Sequence, residues 1–139
     1  MRIFIPACAA FLMFSSIAHV QEAIPYPTVA AALKALQAKP GVVFSKEDNW
    51  TFAKDTDGVN WSFTPAGHYA HPAVGRREIK VEQGRFFVET RIKCEASKAN
   101  CDKLHKDYQL LDQRMNEAIQ RPAKEEIIRA ADGYAFSRK

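Results

Sequence analysis

From Arg77 to Cys94 the chain alternates about a single turn, and this pattern constrains everything around it. Arg77, Ile79 and Val81 are interleaved with charged residues, Gln83-Gly84 supplies a turn, and Phe86, Val88, Thr90, Ile92 and Cys94 continue the alternation. Every second side chain shares one face of a strand, so the pattern predicts a β-hairpin. With Gln83 and Gly84 central, Val81 is expected opposite Phe86, Ile79 opposite Val88, Arg77 opposite Thr90 and Gly75 opposite Ile92. The other face carries Glu78, Lys80 and Glu82 against Phe87, Glu89, Arg91 and Lys93, a mixed-sign surface expected to be solvated.

Cys101 follows Cys94 by seven positions, and a helix pattern starts directly after it. Leu104, Tyr108, Leu111, Met115 and Ala118, joined by Ile119, step by four and three, a stripe suited to crossing the inner face of a sheet. Asp107, Asp112 and Glu117 are expected on the outer side with Lys103, Lys106, Arg114 and Arg121. Pro122 is expected to interrupt this helix. A second short helix from Ala123 to about Ala131 would turn Ile127 and Ile128 inward and stop at Gly133, and Tyr134 and Phe136 would then fold back.

The third cysteine, Cys8, lies in a leader. Arg2 precedes a nearly continuous apolar run from Ile3 to Ile17, and Ser16-Ile17-Ala18 offers small residues at the minus-three and minus-one positions. Residues 1–18 therefore read as a secretory signal peptide cleaved after Ala18. Cys8 precedes most of the apolar region, the wrong place for a lipidated cysteine. Cleavage leaves Cys94 and Cys101 as an even pair in an oxidising compartment, and a structural disulfide is expected between them. A redox-active pair usually has two intervening residues rather than six. The brevity of the leader favours a bacterial periplasm. Asn49-Trp50-Thr51 and Asn60-Trp61-Ser62 fit the glycosylation acceptor pattern, which keeps a eukaryotic secreted protein open. No membrane span is expected after cleavage.

Residues 19–139 are of a size for one domain with a core of its own. Removing Met1 to Ala18 takes away one basic residue and no acidic one, so the net charge falls from +4 to +3. That balance is mild and evenly spread, and it argues against nucleic acid as a partner.

The order of elements sets the fold class. Thr28 is a good helix cap, and Val29, Ala32, Leu33 and Leu36 make an apolar stripe that ends at Lys39-Pro40-Gly41. Val42 to Phe44 is a strand candidate, followed by a turn at Lys46 to Asn49. Trp50 and Phe52 alternate, Asp55-Thr56-Asp57-Gly58 turns the chain, and Val59, Trp61 and Phe63 alternate again. Both aromatic sets read as the inner face of an antiparallel sheet. The expectation is an α+β fold in two layers. An antiparallel sheet of three to five strands is preceded by one short helix and followed by a long helix and a short C-terminal helix, all on one face.

The segment Thr64 to Pro72 has no periodicity and holds His68, Tyr69 and His71. With Arg76 and Arg77 these residues could form an anion-binding corner, because arginine presents its donors as a fork. The plainer alternative has the histidines pinning the loop to its own backbone, one arginine in solvent and the other paired with Glu78 or Glu89. If the chain has a functional surface, it is expected at this loop, with Trp61 beneath it. No H-E-x-x-H motif, nucleophile elbow or phosphate-cradling glycine loop is present, and no metal or cofactor is expected. Two classes stay open. The first is a noncatalytic protein-binding module of the envelope, an inhibitor, immunity factor or accessory protein whose partner is another envelope protein. The second is a metal-binding or hydrolytic protein using His68 and His71. Whether the chain is an enzyme is undecided at this level.

Overall fold

Thr28 opens the first helix, α1 (Val29–Ala38), by accepting the Ala31 N–H on its Oγ1 at 3.0 Å while its own backbone stays extended. The Val29 N–H goes to Glu95 Oε1 at 2.8 Å, which ties the helix start to a residue 66 positions away and sets a carboxylate at its positive end. Val29, Ala32 and Leu36 are buried, as their spacing requires. The computed structural model describes the backbone of residues 24–136 and the side chains of residues 24–122. The expected leader at 1–18 lies outside the described residues, as do the side chains of Ile127, Ile128, Tyr134 and Phe136.

Five strands follow α1: β1 (Val43–Glu47), β2 (Trp50–Lys54), β3 (Asn60–Phe63), β4 (Ala73–Glu82) and β5 (Arg85–Cys94). They form one antiparallel sheet in sequence order, so each strand pairs with the one before it in the chain, across turns or, between β3 and β4, the loop of residues 64–72. Asp48 and Asn49 both take positive φ (47° and 66°), as do Gln83 and Gly84 (50° and 74°), the backbone of two-residue hairpin turns. The first turn is thus tighter than the sequence suggests, and β1 runs on through Glu47. The β4–β5 register is the expected one: Val81 faces Phe86, Ile79 faces Val88, Arg77 faces Thr90 and Gly75 faces Ile92.

A single long helix, α2 (Lys98–Phe136), closes the chain and is clipped to the end of β5 by the Cys94–Cys101 disulfide. The antiparallel sheet with a short helix before it and a long one after it is the α+β arrangement expected from sequence. Two details differ. The short C-terminal helix is the last stretch of α2, which continues through Pro122. The hydrogen bond that proline removes falls in an exposed turn, residues 117–122, where water can take the freed Ala118 carbonyl.

The second difference concerns the faces. Trp61, Phe63, Ala53 and Val74 pack in one cluster with Ala32 and Leu36 of α1. Ser62, the residue between Trp61 and Phe63, puts its hydroxyl 2.7 Å from Tyr108 Oη of α2. Adjacent strand residues point to opposite faces, so α1 and α2 cover opposite sides of the sheet rather than one. A second cluster of Ala70, Ala73, Leu104 and Tyr108 lies under α2. On the α1 side of the hairpin, the charged surface expected to be solvated is a half-buried ladder. Arg76 pairs with Glu78 at 2.9 Å and Lys80 with Glu89 at 2.6 Å.

Helix α2 lies along the outer edge of β5 and satisfies its backbone. Thr90 N–H and Oγ1 donate to the Asp112 carboxylate at 2.8 and 2.7 Å. Val88 N–H donates to Asn116 Oδ1 at 2.6 Å, and Asn116 Nδ2 donates back to Val88 O at 3.2 Å. Gln120 Nε2 donates to Phe86 O at 2.9 Å. Four helix residues rise about 6 Å and two strand residues about 6.7 Å, so these two ladders stay in step. Asp112, expected on the outer side of the helix, therefore faces the strand.

Candidate functional site

Because α2 follows β5 and meets β3 at its Ser62 hydroxyl, the α2-side face of β1 and β2 is left open beside it. The register places Phe52 opposite Ser62 and Glu47 opposite Trp50, so Glu47, Trp50, Phe52 and Ser62 share that face. With the helix as the facing wall, they bound an open groove of about 410 Å³. Its helix wall is Leu104, Asp107, Tyr108 and Leu111, its floor includes Arg77, and His68 and Tyr69 of the β3–β4 loop close one end.

Rings dominate this space. Trp50 and Phe52 stack with centroids 6.4 Å apart, Trp50 meets His68 edge-on at 5.1 Å, and His68 lies 4.3 Å from Tyr69. Such contacts hold each ring in place beyond what its buried area alone would do.

The loop is pinned by its own polar groups. The Ala70 N–H donates to His68 Nδ1 at 3.2 Å, which puts the proton of the neutral ring on Nε2. His71 does the reverse, its Nδ1 donating to the Thr64 carbonyl at 2.9 Å. Thr64 Oγ1 accepts the Ala73 N–H at 2.9 Å, and the His71–Pro72 peptide is cis. Burial, then the Lys103 ammonium, push the His68 imidazole below its ordinary value, with Asp107 opposing, so it is neutral at neutral pH.

Asp107 is the polar hub of the helix wall. Tyr69 Oη donates to it, and Lys103 Nζ reaches it at 2.9 Å. These two bonds hold the carboxyl below the usual range. Burial, and then the bond to Asp107, raise the Tyr69 phenol. Tyr108 is raised by its burial, against the smaller pull of Ser62 and Arg77. Arg77 donates from Nε to Thr90 Oγ1 at 3.0 Å and stands 3.5 Å from Asp112.

The residues singled out from sequence divide between the two faces. His68, Tyr69 and Arg77 come together in the groove, and Trp61 also contributes to its lining. Arg76 turns the other way, over the Trp61 ring at 5.8 Å and against Glu78. Trp61 is 3 % exposed, packed beside Tyr26 under α1, and the ring beneath the loop is Trp50. His71 is exposed and does not line the groove. Both histidines use Nδ1 on the loop. Both arginines are paired, Arg76 with Glu78 and Arg77 with Asp112, where the plainer sequence reading left one of them in solvent. His105 does not line the groove. Among the described residues no group of three or more His, Cys, Asp or Glu is placed to hold a metal ion, and no helix is long and apolar enough to cross a membrane.

Sequence reasoning left out the rest of the lining, Glu47, Asp48, Trp50, Phe52, Asp107 and Tyr108 among it. The usable signal is the Asp48-Asn49 pair, a two-residue turn that sets Glu47 against Trp50 and fixes their common face. No family model matches this chain, and neither the curated proteins nor the solved structures contain a match to it.

Proposed function

We propose that the protein is a noncatalytic, exported binding module that holds a segment of another envelope protein in the groove between α2 and the uncovered strands. The observation that carries this reading is the groove itself, about 410 Å³ of open space walled by pre-arranged Trp50, Phe52 and Tyr69. A volume of that order suits one or two anchoring side chains, and rigid aromatic rings are the usual anchors of protein recognition. The floor continues along β4 from Arg77 to Ile79 and Val81, which are exposed, so the surface is longer than the groove alone. The leader and the Cys94–Cys101 bond support an oxidising compartment outside the cytoplasm. An inhibitor, immunity or accessory role fits such a surface. A metal-binding or hydrolytic use of His68 and His71 has less behind it, because the loop backbone already takes one nitrogen of each ring.

The test is a crosslinked pull-down of the mature tagged protein from its native envelope, read by mass spectrometry, with Trp50→Ala run in parallel. One stoichiometric partner is expected with the native chain, and losing the indole anchor should weaken its capture by roughly thirtyfold. Equal capture by both proteins would move the contact away from the groove, and absence of any partner would remove the binding-module reading.

A further inference from the structure

Among the described residues, three ring faces carry one of the chain's own cations, each with a carboxylate alongside. Lys103 Nζ lies 4.0 Å from the Tyr69 centroid and 2.9 Å from Asp107. Arg77 Cζ lies 5.6 Å from the Tyr108 centroid, with Asp112 3.5 Å from its Nε. Arg76 Cζ lies 5.8 Å from the Trp61 centroid, with Glu78 2.9 Å away. The negative face of each ring attracts the cation, and the carboxylate balances its charge.

Trp50 has the ring and the carboxylates without the cation. Glu47 stands directly opposite it in register on the same face, and Asp48 of the adjoining turn lines the same groove. Among the described residues neither acid makes an ion pair, whereas Asp107 and Arg77, the other charged groups of the lining, are each matched. Two uncompensated acids therefore flank a half-buried indole that lines the groove, on a chain whose net charge is +4.

We propose that the partner segment lays an arginine across Trp50, its guanidinium flat on the indole and its N–H groups directed to Glu47 and Asp48. The choice of arginine over lysine follows from shape. A planar, weakly hydrated guanidinium stacks on a ring while its fork reaches two carboxylates, and an ammonium offers only a point charge. Phe52, stacked on Trp50, holds the indole in place for this contact. This inference rests on the groove being the binding surface and adds the chemistry of what enters it.

The experiment is an NMR titration of the Trp50 indole N–H, assigned with Trp50→Phe. The probes are Ac-Ala-Arg-Ala-NH2, Ac-Ala-Gln-Ala-NH2 and methylguanidinium. A saturable shift is expected with the arginine tripeptide and not with the glutamine one. The double variant Glu47→Gln/Asp48→Asn should weaken it by roughly tenfold or more. Asparagine accepts the left-handed backbone at position 48 (φ 47°), so this variant keeps the turn. Equal shifts with the two tripeptides, no saturable shift, or undiminished affinity in the double variant would each overturn the proposal. Methylguanidinium binding as tightly as the tripeptide would do so too, by assigning the site to a small free cation. In the pull-down, a partner lost with Trp50→Ala but retained by the double variant would leave the groove reading standing and remove the arginine.

Discussion

Two residues carry consequences out of proportion to their size. At Gly75 a Cβ would meet Ser62 Oγ, Tyr108 Cζ and Tyr108 Oη, all at 3.0 Å, where the Ser62 and Tyr108 hydroxyls bond across the sheet–helix boundary. The Ser62 hydroxyl can rotate away, but the buried Tyr108 ring is fixed by the helix that carries it. Gly75→Ala should therefore destabilise the fold by about 1–3 kcal/mol in urea titration, the usual cost of overpacking. An unchanged or raised midpoint would mean that the ring gives way freely. Asp55, whose side chain is 5 % exposed, bonds Lys39 Nζ at 2.7 Å and the Thr56 N–H at 2.7 Å. Burial raises its carboxyl, yet the Lys39 and Thr56 bonds together outweigh that and bring it below the ordinary 3.8. A carboxyl depressed by folding stabilises the native state above its unfolded value and loses that contribution as pH falls through its folded value. Asp55→Asn should cost about 1–2 kcal/mol at pH 7, and its deficit should shrink steadily between about pH 5 and pH 2. A deficit that does not vary with pH would show that the charge is not what matters there.

At the scale of elements, the pairing of α2 with β5 decides where the groove can be. A helix centred over the sheet would fill the space above β2 and β3. This one is drawn to the outer edge because Asp112, Asn116 and Gln120 satisfy strand groups that would otherwise face water, and it shields that edge from pairing with other chains. Asn116→Ala would leave both Val88 backbone groups without their partner, at about 1–3 kcal/mol. Hydrogen exchange at the Val88 amide should speed up more than at its neighbours; an unchanged rate would mean that the Asn116 bond is not what protects it. These three residues also mark where sequence reasoning stops. The hairpin and its register were legible because a two-residue turn fixes the phase of ten paired positions. The disulfide and the Thr28 cap were legible because they are local. Nothing local separates a polar helix residue facing a strand edge from one facing solvent, so Asp112 reads as surface. The aromatic strands posed the same difficulty at longer range. Both faces of the sheet are covered, in part or whole, so apolar alternation occurs in both phases. Only the β2–β3 register, set across residues 55–59, assigns Trp50 and Trp61 to opposite sides.

Across the whole molecule, the apolar surface is unevenly distributed. The α1 side of the central strands is closed, with Ala53, Trp61, Phe63 and Val74 all buried. On the α2 side, Ile79, Val81 and Phe86 at the hairpin end are 65, 60 and 55 % exposed, and Leu111 on the facing helix is 40 % exposed. Val81 and Phe86 are direct cross-strand partners, and Ile79 follows Arg77 by two along β4, so this patch adjoins the groove floor. Large exposed apolar side chains that adjoin one another mark a surface that meets a partner. If the groove and the hairpin end are one surface, charge placed at the hairpin end should cost binding and little stability. Ile79→Lys/Val81→Lys introduces side chains where water already reaches, so its unfolding free energy should stay within about 0.5 kcal/mol per site of the native value. Capture of the groove's partner should nevertheless fall by roughly tenfold or more, because two solvated ammonium groups would have to be buried against it. Undiminished capture would confine recognition to the Trp50 end. A large loss of stability would instead show that the patch is covered by the protein's own chain.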